Sequence, residues 1–511
     1  MDKHRDIESL CAHAESSGLT RRQVMQGGVA LVAASLLSRC GSSNRAAAPQ
    51  PANPQPVPAG PLTPVSLTVT PTAIGSIGPA FAGLSYEKSE LYGPLFTASN
   101  SDLIGMFMRL GPGVLRVGGN SVDRNVWTPN GPGQTVGQIA PSDVNSLAAF
   151  VKAAGWQCLY GVNLGGAATG ATTPALAAAE VAYAAQQFGS SLLGIEIGNE
   201  PDLYGDPGNY FAGNWSLTQF LTLWGQFRAA ILASTPSVPI TGPADASNES
   251  TSTVPFGETV TKSEITLLTQ HYYRANGQLP TSTAAYLITP DPTLIANLAI
   301  LEPGAQSIGV PYRMSECNSF YNGGSSGVSD SYASSFWVID YLFNCVQGGA
   351  VGVNFHGGGD GPGYTPIADS NGSVVEARPE FYGILLFTLA GQGTLYTTQI
   401  SAGSLNVTAY AVKTPSSSLN LIVVNKDLTQ NLQLTAQLPQ SASSATLLAM
   451  TQLTSGATAP DLSATSGVTI QDASVNPDGT FAPSAAYTLN PSGSQLTCYV
   501  PALSAVLIRV A

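Results

Sequence analysis

The sequence predicts an α/β protein, a (β/α)8 TIM barrel followed by an antiparallel C-terminal β-sandwich, and three observations carry that expectation. Between Phe81 and about Ala390, eight short apolar runs alternate with stretches of helical period, the pattern of parallel strands joined by helices. From about Leu395 the helical period disappears, and short alternating runs with polar turns take over, as in an antiparallel sandwich. An open doubly wound sheet would want a glycine-rich phosphate turn after its first strand, and "FAGLSYEKSE" is not one.

The elements follow in chain order. Residues 1–40 contain "LTRRQVMQGGVALVAASLLSRC", in which Arg21-Arg22 precede an apolar stretch from Val29 to Leu37. This resembles a twin-arginine export signal whose apolar part is too short to span a bilayer. Cys40 stands where a bacterial lipoprotein would be cleaved and acylated, although Arg39 fits poorly before it. Residues 41–63, with "AAAPQPANPQPVPAGP", read as a Pro/Ala linker holding the domain off a membrane or wall. "VSLTVTPT" marks a strand over 64–75 that is expected to join the sandwich. The barrel spans 76–392. Its strands are "FAGLSYE", "GVLRVGGN", "QCLYGVNL", "LLGIEIGNE", "PITGPAD", "LLTQHYYR", "YRMSECNS" and "AVGVNFHGG". Between them lie helices such as "PSDVNSLAAFVKAAG" and "SLTQFLTLWGQFRAAILAS", where Phe220, Leu223, Trp224, Phe227 and Ile231 form a core-facing stripe. Residues 393–511 supply the sandwich, with runs such as "LNLIVVNKD" and "SAVLIRVA". No segment after the signal reads as long and apolar enough to be transmembrane.

Composition narrows the function. Charged residues are only 10% of the chain and the net charge is −12, a surface that repels phosphate and sulfate polyanions, so nucleic acid is not an expected partner. Of six cysteines, Cys11 and Cys40 fall in the signal region. Cys158, Cys317, Cys345 and Cys498 are widely spaced, with no CxxC and no Cys/His cluster, so no zinc, other metal or cofactor is expected. Twin-arginine substrates fold before export in a reducing compartment, which predicts buried free thiols.

In such a barrel, chemistry sits at the C-terminal ends of the strands. There the sequence places Tyr86 and Glu87 on the first strand, Asn120 after the second, and Asn199 and Glu200 after the fourth. The sixth offers His271, Tyr272 and Tyr273, the seventh Glu316 and Asn318, and the eighth Asn354 and His356. In "GIEIGNEPDLYG" a carboxylate stands where a buried strand opens into a loop, an expensive place for a charge unless it is paired or used. Two carboxylates on the fourth and seventh strands would face each other across the mouth. That is the equipment of glycoside hydrolysis, one acid for the leaving oxygen and one carboxylate for the anomeric carbon. Strand alternation adds a pair: Arg116 and Glu196 each lie four residues before a functional residue, so both are expected to point into the barrel and meet there as support.

The blocks "LRVGGN", "IEIGNEPDLYG", "TQHYYR", "MSECNSFYNGG" and "NFHGGGDGPGYTPI" together resemble glycoside hydrolase family 79 of the retaining clan A glycosidases. This is the family of β-glucuronidases and heparanases, and the likeness is to its bacterial exo-acting branch, from about residue 65 to the C-terminus. The resemblance implies that Glu200 is the acid/base and Glu316 the nucleophile. It implies that Asn199 binds the sugar 2-OH, that Tyr272 sits beside Glu316 and the sugar, and that Asn120 contacts substrate. Tyr321, Gly323 and Tyr364 match the places where the family holds a uronate carboxylate, with Glu87 joining them. His271 and His356 are expected to support rather than react. The expected protein is therefore a monomeric, exported exo-β-glucuronidase acting on β-D-glucuronides, periplasmic or at the cell surface. Its rivals are an endo-acting heparanase-like enzyme, a xylosidase or arabinofuranosidase, and a non-catalytic carbohydrate-binding lipoprotein. With 19 Lys+Arg against 31 Asp+Glu, the chain has little from which to build the basic cleft that a sulfated chain needs.

Overall fold

The computed structural model describes residues 53–511. The expected export signal, Cys40 and the first part of the expected linker lie outside the described residues.

After β1 (Leu62–Ile77), eight strands run in parallel and close into a barrel. They are β2 (Ala82–Glu87), β3 (Val114–Gly118), β4 (Gln157–Val162), β5 (Leu192–Ile197), β6 (Ile240–Asp245), β7 (Leu267–Asn276), β8 (Tyr312–Tyr321) and β9 (Val353–Gly357). They follow one another in sequence order around the barrel, and β9 pairs with β2 to close it. These are the eight runs read from the sequence. Their residues are buried almost throughout, as helices on the outside and side chains on the inside both exclude water. In the helix Leu217–Ser234, Phe220, Trp224, Phe227 and Ile231 are buried and Leu223 packs partly buried beside them.

The C-terminal part is the expected antiparallel assembly, built as one curled sheet that takes in β1. Nine strands follow the barrel: β10 (Gly393–Ser401), β11 (Val407–Lys413), β12 (Leu419–Asn425), β13 (Asn431–Gln437), β14 (Ala445–Gln452), β15 (Val468–Ile470), β16 (Tyr487–Leu489), β17 (Gln495–Val500) and β18 (Ser504–Val510). With β1 they form a single ten-stranded sheet that curls over its own core. β1 lies antiparallel to β10 and parallel to β13, the one parallel pair in the sheet. Period-two alternation splits each strand between two cores. Leu421 and Val423 of β12 face the core inside the curl with Leu67, Leu434 and Ile508. Ile422 and Val424 face the barrel, against the helices Tyr332–Gln347 and Pro379–Ala390.

Two expectations need correction. The Pro/Ala stretch does not run free as far as residue 63, because from Asn53 it is bound along the sheet. Asn53 Nδ2 donates to Ala485 O (2.8 Å), Gln55 Nε2 to Tyr499 O (2.7 Å) and Asn431 Nδ2 to Ala59 O (2.9 Å). Amide side chains here make the hydrogen bonds that prolines cannot donate. Further on, Ala284–Ile308 is long and apolar enough to cross a membrane, with a mean hydropathy of 1.3. It comprises two helices, Ala284–Leu287 and Pro292–Ile308, and Leu294, Leu298 and Leu301 bury it against the barrel core. Cys158, Cys317, Cys345 and Cys498 are free and buried.

Candidate active site

The loop after β5 puts the first carboxylate in place. Gly198 has φ +90°, and Glu200 itself adopts left-handed φ 50°, ψ 51°, rare for a residue with a Cβ. Pro201 disfavours the ordinary helical region for Glu200, and the Glu200 N–H donates to Ala244 O at the end of β6 (2.9 Å). Buried Asp123 holds three neighbouring loops beneath it. It accepts from Leu164 N (2.8 Å), Gly165 N (2.9 Å), Asn199 N (3.3 Å) and the Tyr204 hydroxyl (2.5 Å). The second carboxylate, Glu316, follows a register shift in β8 between Met314 and Glu316, relative to β7. Such an irregularity re-aims a strand residue.

Fully buried Arg116 joins the two sides. Its Nε donates to Glu196 Oε2 (2.8 Å), one terminal nitrogen pairs with Glu316 Oε2, and the other donates to Asn199 Oδ1 (2.8 Å) and lies 3.4 Å from His271 Nε2. The expected Arg116–Glu196 pair is present, but Arg116 also binds Glu316 directly, which the strand pattern did not reveal. An arginine can only donate, so His271 Nε2 accepts. The ring proton then sits on Nδ1 and points to Glu200 Oε1, 3.1 Å away. Glu316 Oε1 accepts from the Tyr273 hydroxyl (2.8 Å), so both of its oxygens are engaged. Burial would raise the Glu316 carboxyl, but His356, Arg116 and the Tyr273 hydrogen bond together hold it well below the usual carboxylate range. Burial would lower the His356 imidazole, yet Glu316 and Glu87 raise it. Its two ring nitrogens each lie 3.8 Å from one of those carboxylates.

One carboxylate oxygen each of Glu200 and Glu316 and one His271 nitrogen lie within 4.8 Å of one another. These are ligand-type atoms, but Arg116 already brings a full positive charge to this cluster, so the donor set does not suit a further cation. The Glu316 side chain is 8% exposed and that of Glu200 18%, which leaves Glu200 the more open to an incoming group.

The other expected residues divide. Asn199 lies beside Arg116, and its Nδ2 is 3.5 Å from Asn120 Oδ1. Tyr364 reaches the site, its ring 5.7 Å from Tyr273 and 6.0 Å from His356. Gly323 abuts the same loop: a Cβ at Gly363 would come within 2.0 Å of Gly323 O. Tyr321, at the end of β8, is 44% exposed. Glu87 is occupied by the neighbouring turn, accepting from Asn120 N (3.1 Å), Ser121 N (2.7 Å) and Ser121 Oγ (2.5 Å). Tyr272 does not sit beside Glu316. Its hydroxyl donates to Asp291 (2.6 Å) and its ring packs on Tyr341, on the outer face of β7. Alternation explains this, since His271 points inward and so Tyr273, two residues on, takes the place expected for Tyr272. The same parity was available in the sequence.

No protein-family model matches this chain. A β-glucuronidase of Aspergillus niger is 22% identical over 347 residues, and the match spans 61% of this chain and 63% of that protein's length. Among solved structures, a 4-O-α-L-rhamnosyl-β-D-glucuronidase from Fusarium oxysporum superposes with a TM-score of 0.70 at 17% identity, covering 87% of this chain and 99% of the other. A family 51 arabinofuranosidase from Xanthomonas axonopodis does so with 0.62 at 15%, covering 88% and 100%. The fold, barrel and C-terminal sheet together, is that of these glycosidases.

Proposed function

We propose that this protein is a clan A glycoside hydrolase, a retaining exo-β-glucuronidase similar to family 79. The observation that carries the reading is the facing pair of carboxylates, with oxygens of Glu200 and Glu316 within 4.8 Å. Retaining enzymes hold their carboxyl groups about 5–5.5 Å apart, whereas inverting ones leave about 6.5–9.5 Å for a water. The two environments also differ as the two roles require. Glu316, held ionised by Arg116 and Tyr273, attacks the anomeric carbon. Glu200 delivers its proton to the glycosidic oxygen as that bond breaks. It then takes a proton from the water that attacks the glycosyl–Glu316 ester and releases the sugar. Asn199, which accepts from Arg116, binds the 2-OH in this reading, a contact that tightens as positive charge develops on the ring.

The glucuronide preference is supported by the A. niger relative and the F. oxysporum neighbour, together with Tyr364 beside Tyr273 and Gly323 against the loop that carries Tyr364. Export through the signal at residues 1–40, a lipid at Cys40 and a monomeric state belong to the same reading. The test is hydrolysis of p-nitrophenyl β-D-glucuronide by wild type, Glu200→Ala and Glu316→Ala with azide added. The expected result is a β-glycosyl azide from Glu200→Ala and none of that anomer from Glu316→Ala. Undiminished turnover by both variants overturns the assignment. A wild type that cleaves only neutral pentosides keeps the carboxylate roles and removes the uronate.

A further inference from the structure

On the Glu200 side of the site, away from Glu316, the barrel mouth opens into a cleft of about 340 Å3. That is the small end of the range of about 300–1,000 Å3 for ligand pockets, suited to one ring rather than a chain. A general acid faces the leaving group, so whatever occupies this cleft is what Glu200 helps to expel. Asn199 and Glu200 line it toward the other carboxylate, and its outer walls include Arg124, Thr169, Asn209 and Tyr210. Tyr210 forms a platform that the fold holds rigid. Its ring lies against Gly165, where a Cβ would come within 2.8 Å of the ring, and it meets Tyr204 edge-on at 5.1 Å. Tyr204 is in turn anchored by the hydroxyl bond to Asp123. Tyr210 is nevertheless only half-buried.

Arg124 is exposed and lies beside the Tyr210 hydroxyl. Asp123 and Glu200 border the same cleft, so Arg124 gives it no net positive charge with which to select an anion. An aromatic face ringed by amide, hydroxyl and guanidinium donors matches a sugar, with its C–H face and its rim of hydroxyls.

We propose that this cleft is the leaving-group subsite for an uncharged sugar ring stacked on Tyr210 and hydrogen-bonded by Arg124, so that the natural substrate is a glycan rather than a planar phenolic glycoside. The inference rests on the glycosidase reading, but not on which sugar occupies the other side. A glycosyl fluoride has no ring to place in this cleft. The experiment first offers wild type β-D-glucuronyl, β-D-xylosyl and α-L-arabinofuranosyl fluorides, and whichever is hydrolysed identifies the donor sugar. The matching donor is then supplied as a disaccharide with a neutral hexose leaving group, and kcat/KM is measured for wild type, Tyr210→Ala, Tyr210→Phe and Arg124→Ala. The expected result is a ratio of disaccharide to fluoride kcat/KM at least tenfold lower in Tyr210→Ala and Arg124→Ala, with Tyr210→Phe close to wild type. Fluoride turnover confirms that each variant is folded. Ratios within twofold of wild type in both alanine variants overturn the subsite, as does a disaccharide bearing a sulfated or uronic leaving sugar cleaved tenfold faster than the neutral one. Hydrolysis of a pentosyl fluoride alone removes the glucuronide preference and leaves the subsite to be judged by its ratio. If no fluoride is hydrolysed, both readings fall.

Discussion

Two adjacent tyrosines do different work. Tyr273 donates to the nucleophile candidate Glu316, while Tyr272 donates to Asp291 on the outer face of the barrel. Hydrogen bonds to charged groups are worth about 1.5–3 kcal/mol. Tyr273→Phe should therefore lower kcat/KM by about ten- to a hundredfold, while Tyr272→Phe changes stability more than turnover. The pH profile separates the cause. The Tyr273 hydroxyl is one of the groups holding the Glu316 carboxyl down, so removing it raises that carboxyl. The ionised form is the one that attacks, so the acid limb of kcat/KM should move to higher pH in Tyr273→Phe and stay in place in Tyr272→Phe. Arg116 is a stronger case, because it faces two buried carboxylates at once. Arg116→Met strands Glu196 and Glu316 without their cation and should destabilise the protein by about 3–5 kcal/mol in denaturant melts.

At the scale of elements, the helix Pro379–Ala390 carries an unexpected buried carboxyl. Glu380, in its first turn, is fully buried; one carboxyl oxygen accepts from Asn318 Nδ2 (3.3 Å) and the other has no partner. Burial, only partly offset by Asn318 and Arg378, pushes its carboxyl up to about 8. Between the usual 4.5 and about 8 the folded chain keeps a proton that the unfolded chain has released. Stability due to this group therefore falls as pH rises through that window, and levels off above it. Thermal melts of wild type and Glu380→Gln from pH 5 to 9 should show the wild type losing stability relative to the variant as pH increases. A constant difference would refute the assignment. Nothing in "RPEFYGILLFTLAG" announces this, because the partner is a strand residue 62 positions away. What was legible depended on local period. All eight barrel strands could be read because buried parallel strands are short apolar runs, and Glu200 because it follows such a run; Glu316 lies inside β8, where a carboxylate within a buried strand is itself the signal. The course of residues 53–60 was not legible, since their bonds go to Ala485, Tyr499 and Asn431, and composition alone made them a linker. Nor was the single curled sheet, because strand pattern does not say which edge finds which. Tyr272 differs from its expected place for a simpler reason: with His271 pointing inward, period-two parity turns Tyr272 outward.

For the whole molecule, the question is whether barrel and sheet are separable. The sheet has a core of its own, with Leu67, Leu421, Leu434 and Ile508. Its other face, however, is part of the barrel's core. Ile422, Val424, Leu448, Met450 and Leu507 are all buried there. Each such side chain is worth about 1.5–3 kcal/mol on burial, so exposing five of them costs an amount comparable with the whole margin of about 5–15 kcal/mol on which a domain stands. Polar contacts reinforce the join. Asp340 accepts from Thr408 (2.7 Å) and Tyr410 (2.8 Å) and pairs with Lys426, and the Phe343 and Tyr410 rings stack at 4.1 Å. The expected outcome is a single cooperative unfolding transition. The chain offers a clean measurement, because its five tryptophans, at 127, 156, 215, 224 and 337, all lie in the barrel part. Tryptophan fluorescence then follows the barrel alone, while far-ultraviolet circular dichroism also records the ten-stranded sheet. The two should trace the same denaturant midpoint, and Asp340→Ala should lower both together. Separate midpoints, or a soluble folded barrel from a chain ending at Gly391, would show that the shared core does not bind the two into one folding unit.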